Sequence, residues 1–284
     1  MIRSHFAIEK DPFTTDPKTE LLKHQQDVFD ILKVHSHQGG FCLVLGNPGT
    51  GKTVLKNAII HHAPKQWITP VVNRSLHTWQ NILRLFCDAF GVNHDGSIHA
   101  CEQRLVNEAR TLHSKGKLII PIIDDAQVMP LDALRRLRLL FEDFPKTHNL
   151  ILIGQLELNT TLQLNINEDI RTRITYSTTL KPLAPDAIQA YIYQQLDQVG
   201  LAHTTFTDAA IDLIARSSQG ILRLVKNLCV GSMIEAVRQG KREIDTSQVN
   251  AVLIQPHWRL GRDHEHQEGI KLVNEKPDYS AVNG

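Results

Sequence analysis

Eight consecutive residues carry the most specific chemistry in the chain: Gly46-Asn47-Pro48-Gly49-Thr50-Gly51-Lys52-Thr53. They match G-x-x-x-x-G-K-[ST] at every fixed position, the pattern of a loop that wraps phosphates. Glycines let the backbone curl until successive N–H groups point at one anion. A helix that begins at Lys52 would aim the positive end of its dipole at the same spot. Lys52 would then reach the β- and γ-phosphates of a nucleotide, and Thr53 would offer its hydroxyl to magnesium. The flanks agree with this reading. Phe41-Cys42-Leu43-Val44-Leu45 reads as a buried strand and Lys52 to His61 as a helix, which is the context that separates a phosphate loop from a chance Gly-rich turn.

Four further groups could act on the same phosphates. Leu118-Ile119-Ile120-Pro121-Ile122-Ile123-Asp124-Asp125 is an apolar strand that ends in two acids. Such a strand delivers a carboxylate from a sheet edge to a magnesium shell, with Asp124 in that role and Asp125 polarising the attacking water. Two acids at a solvated strand end are the plainer alternative, and Pro121 is awkward because a central strand loses a ladder donor there. Leu150-Ile151-Leu152-Ile153-Gly154-Gln155 ends at an amide that could sense the γ-phosphate, orient water, or merely make a turn. Arg171 and Arg173 precede a strand, and Arg223 opens a later helix; guanidinium groups stabilise a transferring phosphoryl, or simply face solvent. Finally, on a helix from Leu131 to Phe141, burial of Leu134, Leu137 and Leu140 or Phe141 leaves Arg135, Arg136 and Arg138 to project elsewhere. They read either as a solvated face beside Asp132, Glu142 and Asp143, or as a basic element touching DNA phosphates. Lys65 and Arg74 would extend that stripe.

These residues need a scaffold, and the periodicity supplies one. Helical faces recur at Thr19 to His35, Leu76 to Phe90 and Ile98 to Ser114, and strands at Trp67 to Val72, Lys117 to Ile123, Leu150 to Ile153 and Ile174 to Leu180. Strands alternating with helices predict a parallel sheet covered on both faces. After Pro182 the strands stop. Asp186 to Val199, Asp208 to Arg216, Ile221 to Arg238 and Thr246 to Ile254 read as helices. The expected organisation is an N-terminal segment and helix over 1–40, an α/β nucleotide-binding domain over 41–182, a small all-helical lid over 183–255 and a polar tail over 256–284.

Composition bounds the alternatives. Apolar residues make up 42% of the 284, as in a folded chain, and 31 Lys+Arg against 30 Asp+Glu give a net charge of +1. A uniformly basic nucleic-acid coat is thereby excluded, though a local basic groove is not. No apolar run approaches the roughly 20 residues of a membrane-spanning helix. The start lacks a secretory signal, so a cytoplasmic location is expected. Cys42, Cys87, Cys101 and Cys229 form no CxxC pair, which argues against zinc and disulfide frameworks. His61-His62, and His264 with His266, read as solvated histidines before metal ligands.

The order of phosphate loop, Asp-Asp strand, Gly-Gln strand, arginine and helical lid with Gly-x-x-Arg resembles the AAA+ ATPases. Within them the chain is similar to the ExeA/GspA-like group, which includes transposition helpers of the MuB/TnsC/TniB type. The resemblance rests on His5-Phe6, Asp11-Pro12-Phe13, His24, Ile123-Asp124-Asp125-Ala126-Gln127, Ile153-Gly154-Gln155-Leu156-Glu157-Leu158, Arg173-Ile174, Leu180-Lys181-Pro182-Leu183 and Gly220-Ile221-Leu222-Arg223. It spans roughly residues 3 to 254. It implies that residues Gly46 to Thr53 bind ATP with Mg2+, that Asp124 holds magnesium, and that Gln155 and Arg223 are sensors. Arg173 or Arg171 becomes the finger that reaches a neighbouring subunit. The family usually has Glu where this chain has Asp125, so slower hydrolysis is expected. The implied function is an oligomer, ring or filament, that binds double-stranded DNA and recruits or activates a transposase. The alternatives are a secretion-associated ATPase of the ExeA/GspA type, whose relatives carry a membrane span and a peptidoglycan-binding part after the ATPase region, and a nucleotide-gated adaptor with little turnover.

Overall fold

The computed structural model describes residues 1–14, 21–35 and 38–258. From the N-terminus these form α1 (Ile2–Phe6), α2 (Lys23–His35), β1 (Gly40–Gly46), α3 (Lys52–His61), β2 (Trp67–Ile68), β3 (Val71–Val72), α4 (Trp79–Phe90) and α5 (Ile98–Ser114). There follow β4 (Leu118–Ile119), β5 (Ile122–Ile123), α6 (Leu131–Asp143), β6 (Asn149–Gly154), α7 (Leu156–Gln163), α8 (Glu168–Arg171) and β7 (Ile174–Leu180). The last helices are α9 (Pro185–Asp197), α10 (Asp208–Ser218), α11 (Leu222–Arg238) and α12 (Thr246–Leu253). Among the described residues no helix is long and apolar enough to cross a membrane. His264 and His266 lie outside the described residues.

Two compact units share the chain, one of Thr15 to Pro182 and one of Met1 to Thr14 with Leu183 onward. The first is built on a parallel sheet in the order β3-β5-β6-β1-β7. Side chains alternate along each strand, so every central strand feeds two cores. Phe41, Leu43 and Leu45 of β1, with Leu150 and Leu152 of β6, pack under α4, α5 and α6. Cys42 and Val44, with Ile151 and Ile153, pack under α2 and α3. That double coverage is why these strands are continuous apolar runs.

Two prolines cut the strands on one side of the sheet. The expected strands Trp67 to Val72 and Lys117 to Ile123 are each split, into β2 and β3 by Thr69-Pro70 and into β4 and β5 by Ile120-Pro121. Parallel pairing survives the interruption. The N–H groups of Leu118, Ile120, Ile122 and Asp124 donate to the carbonyls of Gln66, Ile68, Pro70 and Val72 at 2.8–2.9 Å. Pro121 cannot donate, but its carbonyl accepts the Ile151 N–H at 2.9 Å. The ladder loses one donor and keeps its register, so Asp124 and Asp125 still arrive at the carboxyl edge. At the other end, the Ile119 N–H donates to Nδ1 of buried His148 at 3.2 Å, and His148 Nε2 donates to the Ala109 carbonyl at 3.4 Å.

The second unit differs from the expected division, which grouped residues 1–40 together. Its four long helices are joined by the N-terminal fourteen residues. Phe13 is 1% exposed and lies 6.2 and 6.3 Å, ring to ring, from Tyr191 and Phe206. His5 Nε2 is 2.8 Å from the Lys241 carbonyl. α12 opens with a capping box, Asp245 accepting from Ser247 and Gln248 reaching back to the Asp245 N–H, as an acid three residues before Gln predicts.

Candidate nucleotide site

Every element of the site ends at the carboxyl edge of the sheet, where parallel strands release their loops. The phosphate loop leaves β1 and passes through Gly49 at φ +84° and Gly51 at φ +97° into α3. An L side chain is disfavoured at both positions, which accounts for their identity. Lys52 Nζ donates to the carbonyls of Gly46 at 2.6 Å and Asn47 at 3.0 Å. The ammonium thus lies over the loop, where phosphate oxygens are the natural exchange for neutral acceptors. Thr50 Oγ1 donates to the Asn47 carbonyl at 2.9 Å and braces the turn. Thr53 is exposed in the first turn of α3.

Next to the loop stand the two acids. Asp124 Oδ1 accepts the Asp125 N–H at 3.0 Å, and its Oδ2 accepts Lys56 Nζ at 2.6 Å. Its carbonyl accepts from His77 Nε2 at 2.9 Å. Burial lowers the pKa of His77, and the Asp124 carbonyl and the two carboxylates partly offset this. Asp125 has φ +52° and ψ +40°, the left-handed region. Among non-glycine residues Asp and Asn tolerate that region best, which gives a structural reason for an Asp at this position. Both acids line an open cleft of about 600 Å³ with Asn73, Arg74 and Ser75.

Gln127 ties Asp125 to the end of β6. Its Nε2 donates to Asp125 Oδ1 at 3.2 Å, and its Oε1 accepts the Gln155 N–H at 3.0 Å. A Cβ at Gly154 would lie 3.2 Å from that Oε1 and 2.8 Å from Leu158 Cδ2, so only glycine leaves room for the bridge. Gln155 is thereby held at the start of α7, half-buried and level with Asp125. A hydroxyl (Thr53) and a carboxylate (Asp124) are hard oxygen donors of the kind magnesium takes alongside phosphate oxygens, so the residues fit that ion.

The arginines lie elsewhere. Arg173 sits at the other edge of the sheet, where its carbonyl accepts the Phe41 N–H at the start of β1. It pairs with Glu142. Arg171 pairs with Glu168 at 3.8 Å and donates to the Gln163 carbonyl at 3.1 Å. Both are about half exposed. Arg223 is exposed in the first turn of α11, in the helical unit.

The expected basic stripe is divided. Arg135 donates to the Ile166 carbonyl and to Asn167 Oδ1 at 3.0 and 2.9 Å. Arg138 is 17% exposed and bonds the Asp169 carbonyl, the Asp169 carboxylate and Glu142. These two arginines fasten α6 to the α8 segment, because α8 brings an acid and free carbonyls against that face. Arg136 alone of the three points outward, paired with Asp132 at 3.0 Å. Lys65 and Arg74 are both exposed but lie at opposite ends of the β2–β3 strand, on the order of 25 Å apart at the rise of an extended chain. Arg74 belongs with the acids of the cleft.

Sequence reasoning passed over Lys56, His77 and Asn73. Lys56 had a legible signal: it lies four residues after Lys52, hence one turn further on the same helix face. His77 and Asn73 follow an edge strand whose register no motif marks.

Residues 34–162 match the AAA domain family. The chain is 28% identical over 254 residues to general secretion pathway protein A of Aeromonas hydrophila, covering 86% of this chain and 46% of that one. It therefore spans about half the length of that relative. Among solved structures it is similar to Cdc6p of Pyrobaculum aerophilum, with a TM-score of 0.66, 17% identity and coverage of 84% and 68% of the two chains. It is also similar to a chain of the Drosophila origin recognition complex bound to DNA, with a TM-score of 0.63, 16% identity and coverage of 89% and 64%. The chain thus has the parallel-sheet fold of an AAA+ P-loop NTPase, with an AAA domain match that contains its phosphate loop, both acids and Gln155.

Proposed function

We propose that this chain is a magnesium-dependent ATPase that works as an assembly of copies, each nucleotide site being completed by an arginine of the next. The observation that carries this reading is the placement of the phosphate loop and Arg173 at opposite ends of adjacent strands. The seven residues of β1 separate them by about 20 Å at the ordinary strand rise. Arg173 therefore serves a phosphate loop on another copy and not its own. Arg171, on the same segment, is the other candidate for that finger.

Within one site, Gly46, Asn47, Pro48, Gly49, Thr50 and Gly51 wrap the phosphates, and Lys52 holds the terminal ones. Thr53 and Asp124 hold magnesium, which neutralises charge on the phosphate oxygens when bound. Asp125 accepts the proton of the attacking water through the carboxylate oxygen that Gln127 leaves open. Gln155, fixed by the same Gln127, reports the γ-phosphate to α7. Arg223 is the second sensor of this reading.

The assembly's effector in this reading is duplex DNA, and its role in the cytosol is that of a transposition helper that recruits or activates a transposase. The likeness to a chain of a DNA-bound complex supports the DNA part. Of the expected stripe, Arg136, Lys65 and Arg74 are exposed. The relationship to general secretion pathway protein A supports a secretion-associated ATPase about as well. Mass photometry and electron microscopy with duplex DNA separate them. Oligomers that form on DNA with ATP and Mg2+, loosen with ADP and weaken steeply with salt are expected. ATP-driven assembly indifferent to DNA at low salt selects the secretion reading. A chain that stays monomeric in every nucleotide overturns both.

A further inference from the structure

Asp124 is already occupied by a cation of the chain itself. Lys56 Nζ lies 2.6 Å from Oδ2, and the two side chains are 13% and 17% exposed. Oδ1 accepts the Asp125 N–H, so both oxygens of the carboxylate are engaged. Lys56 projects from α3 one turn beyond Lys52, and its ammonium stands between that helix and the end of β5. A divalent ion brought to Asp124 would stand within a few ångströms of a fixed positive charge, in a place with little water to screen it. Charges so placed repel strongly at the effective dielectric of a protein site.

We propose that Lys56 is an internal competitor for magnesium: it holds Oδ2 of Asp124 until the ion displaces it, and so sets how much magnesium the site needs. This deepens, and rests on, the reading of Asp124 as the magnesium carboxylate. The pair spares Asp124 an uncompensated charge at a position only 17% exposed. On exchange the ammonium withdraws and the ion takes its place. The consequence is a site that engages nucleotide tightly only when the ion arrives with it.

The test is a magnesium titration of nucleotide binding, with a fluorescent ATP analogue, on the wild type, Lys56→Met and Lys56→Gln. Methionine keeps the straight apolar stem and removes the charge. The half-saturating Mg2+ concentration is expected to fall roughly tenfold in both variants, the ratio that one charge-assisted hydrogen bond is worth. An unchanged or raised value in a folded variant overturns the proposal. A second measurement needs no mutation: amine labelling of Lys56 in the wild type, read by peptide mass spectrometry, with nucleotide in EDTA against nucleotide with Mg2+. Labelling should rise when the ion is present, and equal labelling overturns the exchange. If the wild type binds no nucleotide at any Mg2+ concentration, the underlying site reading falls as well. If it binds nucleotide and the variants respond to Mg2+ as it does, only the role of Lys56 falls.

Discussion

At the scale of single residues, the site separates binding from turnover. In the proposed site Lys52 carries the charge that would meet the phosphates, and each charge-assisted hydrogen bond it made there would be worth about 1.5–3 kcal/mol. Lys52→Ala should therefore weaken ATP binding by about 100-fold or more in calorimetry, and tight binding by that variant would sink the phosphate-loop assignment. Asp125→Asn should leave ATP bound but lower hydrolysis by about 10²–10⁴, since an amide cannot take the proton of water. Turnover at the wild-type rate would remove Asp125 from the base role. The left-handed backbone at Asp125 adds a second arm. Asp125→Glu carries a longer carboxylate on a backbone less suited to it, so the thermal midpoint should drop even if turnover is kept. Cys42 marks the contrast with an active group. Its thiol lies 3.2 Å from His35 Nδ1, which in turn meets Asn149 Oδ1 at 3.1 Å. The three resemble a nucleophile with its base, yet burial pushes the thiol up to about 12, and the thiolate does not form at neutral pH.

At the scale of elements, His148 is the titrating joint of the sheet unit. Burial first, with His113 also lowering it and the Ala109 carbonyl opposing, brings its pKa down to about 4 from the ordinary 6.5. Its Nδ1 must stay unprotonated to accept the Ile119 N–H. The folded value lies below the unfolded one, so the contribution is whole above pH 6.5 and is lost as pH falls towards 4, up to about 3 kcal/mol. Urea midpoints measured from pH 7 to 4.5 should fall, and His148→Gln should flatten that slope; an identical slope in the variant removes His148 as its source. Legibility from sequence also divides by element. β1, α3 and β6 were plain, because doubly buried strands are unbroken apolar runs and the loop between the first two has fixed chemistry. α5 is legible from Leu105, Ala109 and Leu112 on one face, the first two of which are buried. α7 was not: Leu156–Gln163 buries only Leu158 and Leu162 and contains two threonines, too narrow a stripe to register as helix. With α7 and α8 unseen, Asn167 and Asp169 could not be known as partners of Arg135 and Arg138, and the arginines looked free. Pro121 is legible as a missing donor, but Pro70 at the same level of the neighbouring strand is not, because cross-strand register is not written in either strand alone.

At the scale of the whole molecule, the proposed site takes its arginine from a second copy of the chain. Arg173→Ala should keep nucleotide affinity and lower hydrolysis by about 10³ or more, as loss of an arginine finger does. Arg171→Ala is the companion variant. Full turnover by a dilute and demonstrably monomeric wild type would contradict a shared site. The helical unit has its own dependence, on Phe13. Phe13→Ala should destabilise that unit by about 3–5 kcal/mol, seen as an early transition in calorimetry, while binding of nucleotide to the sheet unit persists; a single unshifted transition would refute this role of Phe13. The position of Phe13 also bears on how the molecule is made. Synthesis runs from one end, so the first fourteen residues leave the ribosome long before Tyr191 and Phe206 exist. At ordinary elongation rates that interval is roughly 10 to 40 s. Through it the sheet unit can fold, but Phe6, Ile8 and Phe13, all buried in the finished protein, still await the helices they pack with. These apolar side chains are made well before their partners, and they are among the last to find their place.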